Sequence, residues 1–425
     1  MLDGGTSLIL FYWCPVPLSF MAPGIVEKGI NFVKKQQNPF KVNMAKNIVQ
    51  NFSLGLTQQY QSIYITALGA TALELGYVAS IGGIAFALIT LPVGVLADKY
   101  GIRRILMAAL LLMACGYAVF GSATTWEMTA AALVLTTIAW EMTMNVCPMI
   151  CGASLQSVER VTGMQLCDTV AALPRLFAPI VAAFLITQFG GLTVQGIRPL
   201  YWIEVGGILI SFGIIWRFFT DPPRVSGSRG ITIGKGVGRV FEEGVNIKRW
   251  LVYISANMFP NYMAIYIPLY AKTMRGADPY SLGMMDAVYW LIVVLFAMPV
   301  GLSADRFGRK NLIMMMCPLY AVGLMVLAYV PGDMTLIAVG FLTGFIQLAG
   351  VTSGSISVEL VPKELLGSWY GIIGMARSIA SIISPLIGGL IWNSFGPIYV
   401  LYFLAATQLL KLGILWTMPK STKYS

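Results

Sequence analysis

Histidine is absent from this 425-residue chain, which removes imidazole-ligated zinc, Ser-His-Asp triads and histidine proton relays from its chemistry. Charge is scarce too: Asp, Glu, Lys and Arg make up 11% of the residues, where a soluble domain carries about 25%. The six cysteines (Cys14, Cys115, Cys147, Cys151, Cys167, Cys317) lie mostly within apolar runs. Cys147 and Cys151 are one helical turn apart, but no second pair completes a metal site, so both read as packing residues. "GSRGITIGKGVGR" is glycine-rich yet lacks the Gly-Lys-Ser/Thr of a phosphate loop, and no strand precedes it. No cofactor and no metal are therefore expected.

Apolar residues supply 57% of the chain, in runs long enough to cross a bilayer, which takes about 20 residues each. The expected class is an all-α membrane protein with twelve transmembrane helices in two pseudo-symmetric six-helix bundles. Spans fall near 43–68, 75–97, 105–122, 127–153, 162–189 and 199–219, then near 249–271, 279–304, 311–330, 334–359, 367–394 and 397–418. The first is unusually polar and is read as a span partly because its counterpart in the second half aligns. The chain divides into a tail (1–42), a first bundle (43–220), a linker (221–248), a second bundle (249–419) and a short tail (420–425). The apolar stretch at 7–21 is too short to span and is broken by Pro15 and Pro17. It reads as part of an interfacial tail.

Placement of Lys and Arg sets the topology. On one side fall 22 of the 28 basic residues, Lys46 among those counted ahead of the first span. This side is taken as cytoplasmic, with both termini on it and the protein multi-pass in the cytoplasmic membrane. The net charge of +10 is this bias, so the lipid bilayer is the expected macroscopic partner and nucleic acid is not. The protein is expected to be a monomer.

The chain repeats itself. "PVGVLADKYGIRR" at 92–104 returns as "PVGLSADRFGRK" at 299–310. Asn51/Asn257, Tyr60/Tyr266, Tyr64/Tyr270, Gly76/Gly283 and Pro179/Pro385 also match at offsets of 206 or 207. A duplicated six-helix unit with its solute site between the halves is a known transporter plan. In the repeated phrase, Gly94 and Gly301 allow close helix contact. Asp98 and Asp305 sit at helix C-termini, where the macrodipole disfavours an acid, so each needs a cation or a helix N-terminus nearby. Gly101 and Gly308 permit the reversal, and Arg103, Arg104, Arg309 and Lys310 hold the turn in the cytoplasm.

"GVLADKYGIRR" and "GLSADRFGRK" resemble the G-x-x-x-D-[RK]-x-G-[RK]-[RK] signature of the major facilitator superfamily, and the resemblance covers about 43–420. It implies alternating access, a cavity lined by spans one, four, seven and ten, and gating by the signature turns. "SVERVTG" (157–163) and "VPKELLG" (361–367) resemble the family's weaker turns. The fourth span lacks the Arg-x-x-x-Gly pattern, and the fifth the Gly-Pro pattern, of drug/proton antiporters.

Ionisable groups inside spans cost roughly 2.5–3.5 kcal/mol each on insertion scales, so each is a functional candidate. Lys411 is expected to snorkel toward the cytoplasmic surface, and Glu204 and Asp286 to be solvated or structural near the outer ends. Glu141, mid-span on a cavity helix, is the expected proton carrier. Arg175 is its expected switchable partner, with Asp168 competing for that guanidinium from about 10.5 Å along the same helix face. Arg377 reads as structural or anion-binding and is grouped with these coupling residues. The amides and tyrosines Asn51, Gln58, Tyr60, Asn257, Asn261, Tyr266 and Gln347 are the candidate solute contacts, against the plainer reading of helix–helix hydrogen bonding. The expected function is proton-coupled secondary transport of a small polar or amphipathic solute such as a sugar or organic acid. Multidrug export, sodium coupling, uniport and a non-transporting receptor or scaffold stay open.

Overall fold

The computed structural model describes residues 31–155, 160–221, 233–362 and 365–418. The apolar stretch at 7–21 and the final tail lie outside them. Contacts divide the chain into Met1–Gln36, of which 31–35 is helical, and one compact unit from Gln37 onward.

Among the described residues the second unit is helical, with no strand. Its first half contains α1 (Asn38–Thr57), a 3₁₀ turn at Gln58–Tyr60, α2 (Gln61–Ala67), α3 (Ala72–Tyr100), α4 (Ile102–Ser122), α5 (Trp126–Ser154), α6 (Arg160–Ala172), α7 (Pro174–Gln188) and α8 (Val194–Phe218). The second half contains α9 (Ile233–Glu243), α10 (Ile247–Met263), α11 (Tyr266–Arg275), α12 (Pro279–Phe307), α13 (Arg309–Tyr329), α14 (Asp333–Glu359), α15 (Leu366–Ser394) and α16 (Pro397–Thr417). Part of the expected linker is thus a helix: α9 packs on α15, and Val245 N–H donates to the Leu360 carbonyl.

Among the described residues ten helices are long and apolar enough to cross a membrane. The first and seventh spans complete the twelve, each made of two shorter helices: α1 with α2, and α10 with α11. Their breaks, at Gln58–Tyr60 and at Ala264–Ile265, fall at equivalent places in the repeat. Local chemistry sets the other boundaries. Asp278 caps α12 by accepting from Ser281 N–H at 2.7 Å, with Pro279 in the first turn. Gly101 and Gly308 reverse the chain at φ 89° and 86°, in a region that side chains other than glycine rarely enter.

The halves exchange helices. α3 packs along α15, and α7 along α12. At the end remote from the basic turns, one apolar core runs through both halves, from Tyr60, Leu75 and Ala182 to Tyr266, Leu282 and Leu401. At the basic end the described residues form two cores, one per half: Val93, Leu110 and Ile150 in the first, and Trp250, Ile313 and Trp369 in the second. Among the described residues the apolar core is continuous at one end and divided at the other.

Two buried lysines depart from expectation. Lys411 does not snorkel: it is wholly buried, and its ammonium donates to Asn257 Oδ1 at 2.7 Å and Gln408 Oε1 at 2.9 Å. Acceptors within the bundle take over the role that interfacial water would have played. Lys46, counted ahead of the first span, lies inside α1, wholly buried and donating to Gln50 Oε1 at 2.9 Å. Glu204 is not solvated; it is buried and accepts from the Thr57 hydroxyl at 2.6 Å.

Candidate functional site

Between the two separate cores of the basic end lies a cavity of about 580 Å³. α5 contributes Trp140, Glu141, Met144 and Asn145; α10 contributes Met258, Asn261 and Tyr262; Phe86, Gln347 and Arg377 come from α3, α14 and α15. Four sequence candidates therefore meet here: Glu141, Asn261, Gln347 and Arg377. The side chains of Asn261, Gln347 and Arg377 are exposed, whereas Glu141 is buried. Asn145 Nδ2 donates to the Glu141 carbonyl at 2.9 Å and to its carboxylate at 3.4 Å. Asn145 was missed by the sequence reasoning, although its position one helical turn from a mid-span acid was a readable signal.

The expected Glu141–Arg175 pair does not form. Arg175 Nε donates to Asn51 Oδ1 at 2.9 Å, Nη1 to Gln58 Oε1 at 3.4 Å, and the guanidinium lies 4.6 Å from the Trp290 ring centroid. Two amides and an indole capture it, and its nearest acidic influence is Asp286. The cation acting on Glu141 is instead Arg377. Asn51 and Gln58 thus hold an arginine, and Asn257 holds Lys411; none of the three lines the cavity. Pro174 interrupts the helix ladder between Asp168 and Arg175, so the shared-face argument assumed a continuity the chain lacks. The Asp168 side chain lies outside the described residues.

Other amides of α1 serve thiols. Asn43 donates to Cys147 Sγ at 3.2 Å, and Asn47 to Cys167 Sγ at 3.4 Å.

Tyr60 and Tyr266 sit at the two span breaks, buried and away from the cavity wall. Tyr60 Oη donates to the carbonyl of Pro279 in the other half at 3.0 Å and approaches that of Pro179 at 3.4 Å. Tyr266 Oη donates to Ala72 in the first half at 3.1 Å and to Pro385 at 2.8 Å. The arrangement occurs twice, with the halves exchanged. Glycines allow it: an ideal Cβ at Gly76 would lie 2.7 Å from the Pro385 oxygen and 2.8 Å from the Tyr266 hydroxyl. At Gly283 it would lie 2.7 Å from the Pro179 oxygen and 3.0 Å from the Tyr60 hydroxyl. Residues that the repeat had matched one by one thus converge on two reciprocal junctions closing the joined end.

At the parted end, Arg103 N–H donates to Asp221 Oδ1 at 2.7 Å, and Arg309 pairs with Glu359 at 2.6 Å. Lys310 donates to the Met418 carbonyl, and Arg104 is exposed. The side chains of Gly94, Asp98, Gly301 and Asp305 lie outside the described residues.

Comparison with known proteins follows the same outline. The Major Facilitator Superfamily model matches residues 48–284 and 249–424. An uncharacterized MFS-type transporter of Methanocaldococcus jannaschii is 26% identical over 155 residues, covering 36% of this chain and 40% of that protein. The first of the curated relatives are matched over only about 40% of their length. An uncharacterized transporter of Bacillus subtilis aligns more fully, at 24% identity over 391 residues, 81% of this chain and 85% of its own. The nucleoside transporter NupG superposes with a TM-score of 0.70 at 15% identity, covering 90% of this chain and 100% of that one. A D-xylose–proton symporter gives a TM-score of 0.70 at 13% identity, covering 93% and 98%. These likenesses to solved structures are likenesses of fold. With the family model matched across both halves, the chain belongs to the Major Facilitator Superfamily.

Proposed function

We propose that this protein is a secondary transporter that carries a small polar organic solute across the cytoplasmic membrane by alternating access, coupled to protons. The observation that carries the reading is the cavity of about 580 Å³ placed where the halves part; the pocket at the joined end, between Thr66, Ala72, Leu269 and Trp392, is smaller, at about 320 Å³. With the basic end taken as cytoplasmic by the positive-inside rule, the structure is the inward-facing state. The tyrosine junctions then close the outer gate, and the signature turns with Asp98, Asp305, Arg103, Arg104, Arg309 and Lys310 close the inner side in the opposite state.

Asn261 and Gln347 supply hydrogen bonds to the solute, and Trp140 and Tyr262 supply aromatic faces. Asn51, Gln58 and Asn257 act one layer back, by holding Arg175 and Lys411. Glu141 is the coupling carboxylate. It lies against the cavity with Asn145 and in the field of Arg377, so entry of solute changes its surroundings and hence its hold on a proton. The similar folds of a nucleoside transporter and a D-xylose–proton symporter suit a polar solute.

The test uses the purified protein in proteoliposomes with a panel of metabolites and lipophilic cations. Glu141→Gln should abolish accumulation driven by an inward proton gradient and leave solute counterflow intact. Accumulation by that variant removes Glu141 from the coupling role, and transport of the lipophilic cations alone replaces this reading with drug export.

A further inference from the structure

Two arginines, Arg175 and Arg377, lie well away from the ends of their spans, and the structure treats them in opposite ways. Arg175 is held by Asn51, Gln58 and Trp290. Arg377 is not: among the described residues none accepts a hydrogen bond from it or pairs with it, and it is exposed on the cavity wall. A guanidinium presents five N–H donors in a planar fork that matches a carboxylate edge to edge. Held within a membrane span, such a group is tolerated where it faces a water-filled cavity, and there it marks a solute or ion pathway. Glu141 does not perform that role, because it is buried against Asn145 and forms no ion pair with Arg377. The same wall carries the apolar and aromatic side chains of Phe86, Trp140, Met144, Met258 and Tyr262 alongside the amides of Asn145, Asn261 and Gln347.

We propose that Arg377 is the docking point for a carboxylate on the transported solute, so that the substrates are small monocarboxylates with an apolar or aromatic body. The charges on the wall set the limit of one. Among the described lining residues Arg377 is the single cation and Glu141 the single acid, so a second carboxylate would face Glu141 without a partner. A phosphate monoester, with a charge of about −1.5 to −2 near neutral pH, would exceed what one guanidinium neutralises. The inference rests on the proposed transport function and adds an electrical consequence. A monocarboxylate anion moving with one proton carries no net charge, so transport should follow the pH gradient and ignore the membrane potential.

The test compares three ligands of one shape, benzoate, benzamide and phenyl phosphate, by the thermal shift of the full-length protein in detergent and by quenching of its tryptophan fluorescence. Benzoate should bind, while benzamide and phenyl phosphate should be weaker. Arg377→Gln should weaken benzoate by on the order of tenfold or more, with Arg377→Lys in between. If Arg377→Gln does not fold, Arg377→Lys and the wild-type ranking decide. Equal binding of benzamide, tighter binding of phenyl phosphate, no binding of benzoate, or a benzoate affinity within twofold of wild type in Arg377→Gln overturns the proposal. The coupling role fails separately. Arg377-dependent benzoate binding together with proton-driven accumulation by Glu141→Gln would leave the substrate class standing and remove only Glu141.

Discussion

The joined end can be loosened without disturbing its packing by replacing Tyr60 and Tyr266 with phenylalanine. The rings stay, including the contact of Tyr266 with Trp392 at 5.8 Å between centroids. Two bonds that cross between halves are lost, to Pro279 at 3.0 Å and to Ala72 at 3.1 Å. Each phenol has one proton, shared between the crossing carbonyl and one in its own half, Pro179 for Tyr60 and Pro385 for Tyr266. A full neutral hydrogen bond contributes about 0.5–1.5 kcal/mol net, so a shared one should favour the open gate by about 2-fold, and at most about 12-fold, in each single variant. The double variant should reach roughly 5-fold, and at most about 150-fold, because both bonds oppose one motion and their logarithms add. Hydrogen–deuterium exchange of the peptides covering α2 and α11 reads this directly, since amides there exchange when the gate opens. Both segments should speed up together, while the buried part of α4 does not. Exchange within twofold of wild type in the double variant, with an unchanged melting temperature, would refute the account of the tyrosines as a gate.

Glu204→Gln should keep the acceptor for Thr57 and melt at or above the wild-type temperature. Glu204→Ala should lose about 1–3 kcal/mol by stranding that hydroxyl and melt lower, as thermal unfolding in detergent would show. The Arg309–Glu359 pair is partly exposed, at 31% and 30% of its side-chain surfaces, so a double-mutant cycle with glutamine should give a coupling of about 0.2–1 kcal/mol. That coupling should vanish in high salt; a coupling that persists would mean the pair is shielded from solvent in the working protein.

The spans and the repeat were legible because apolar run length and glycine-marked turns are local properties. The cavity acid and arginine were legible for a related reason, since charge within a span is rare enough to flag itself. Partnership was not legible. Periodicity places Asn51 and Gln58 close to one face of the first span, but only the packing of α7 beside it decides that the face meets Arg175. Lys411 was misplaced by a rule about depth, because its acceptor Asn257 stands 154 residues away. Tyr60 and Tyr266, read in the sequence as solute contacts, lie off the cavity wall. Their hydroxyls meet backbone carbonyls, which every residue carries and no motif announces.

The reciprocal junctions have an architectural consequence. Tyr60 reaches Pro279 while Tyr266 reaches Ala72, and α3 meets α15 as α7 meets α12. Residue i meeting j while j's counterpart meets i's is the rule of an isologous dimer, so the chain is in effect a homodimer written as one polypeptide. In a true homodimer every substitution appears on both sides of the axis, and a single arginine facing a single acid cannot arise. Fusion lifts that constraint. Glu141 stands opposite Gln347 in the repeat, Arg175 opposite Ser381, and Arg377 opposite Ala171. The junction contacts have kept the symmetry of the repeated unit, while the charged groups Glu141, Arg175 and Arg377 within the spans have broken it.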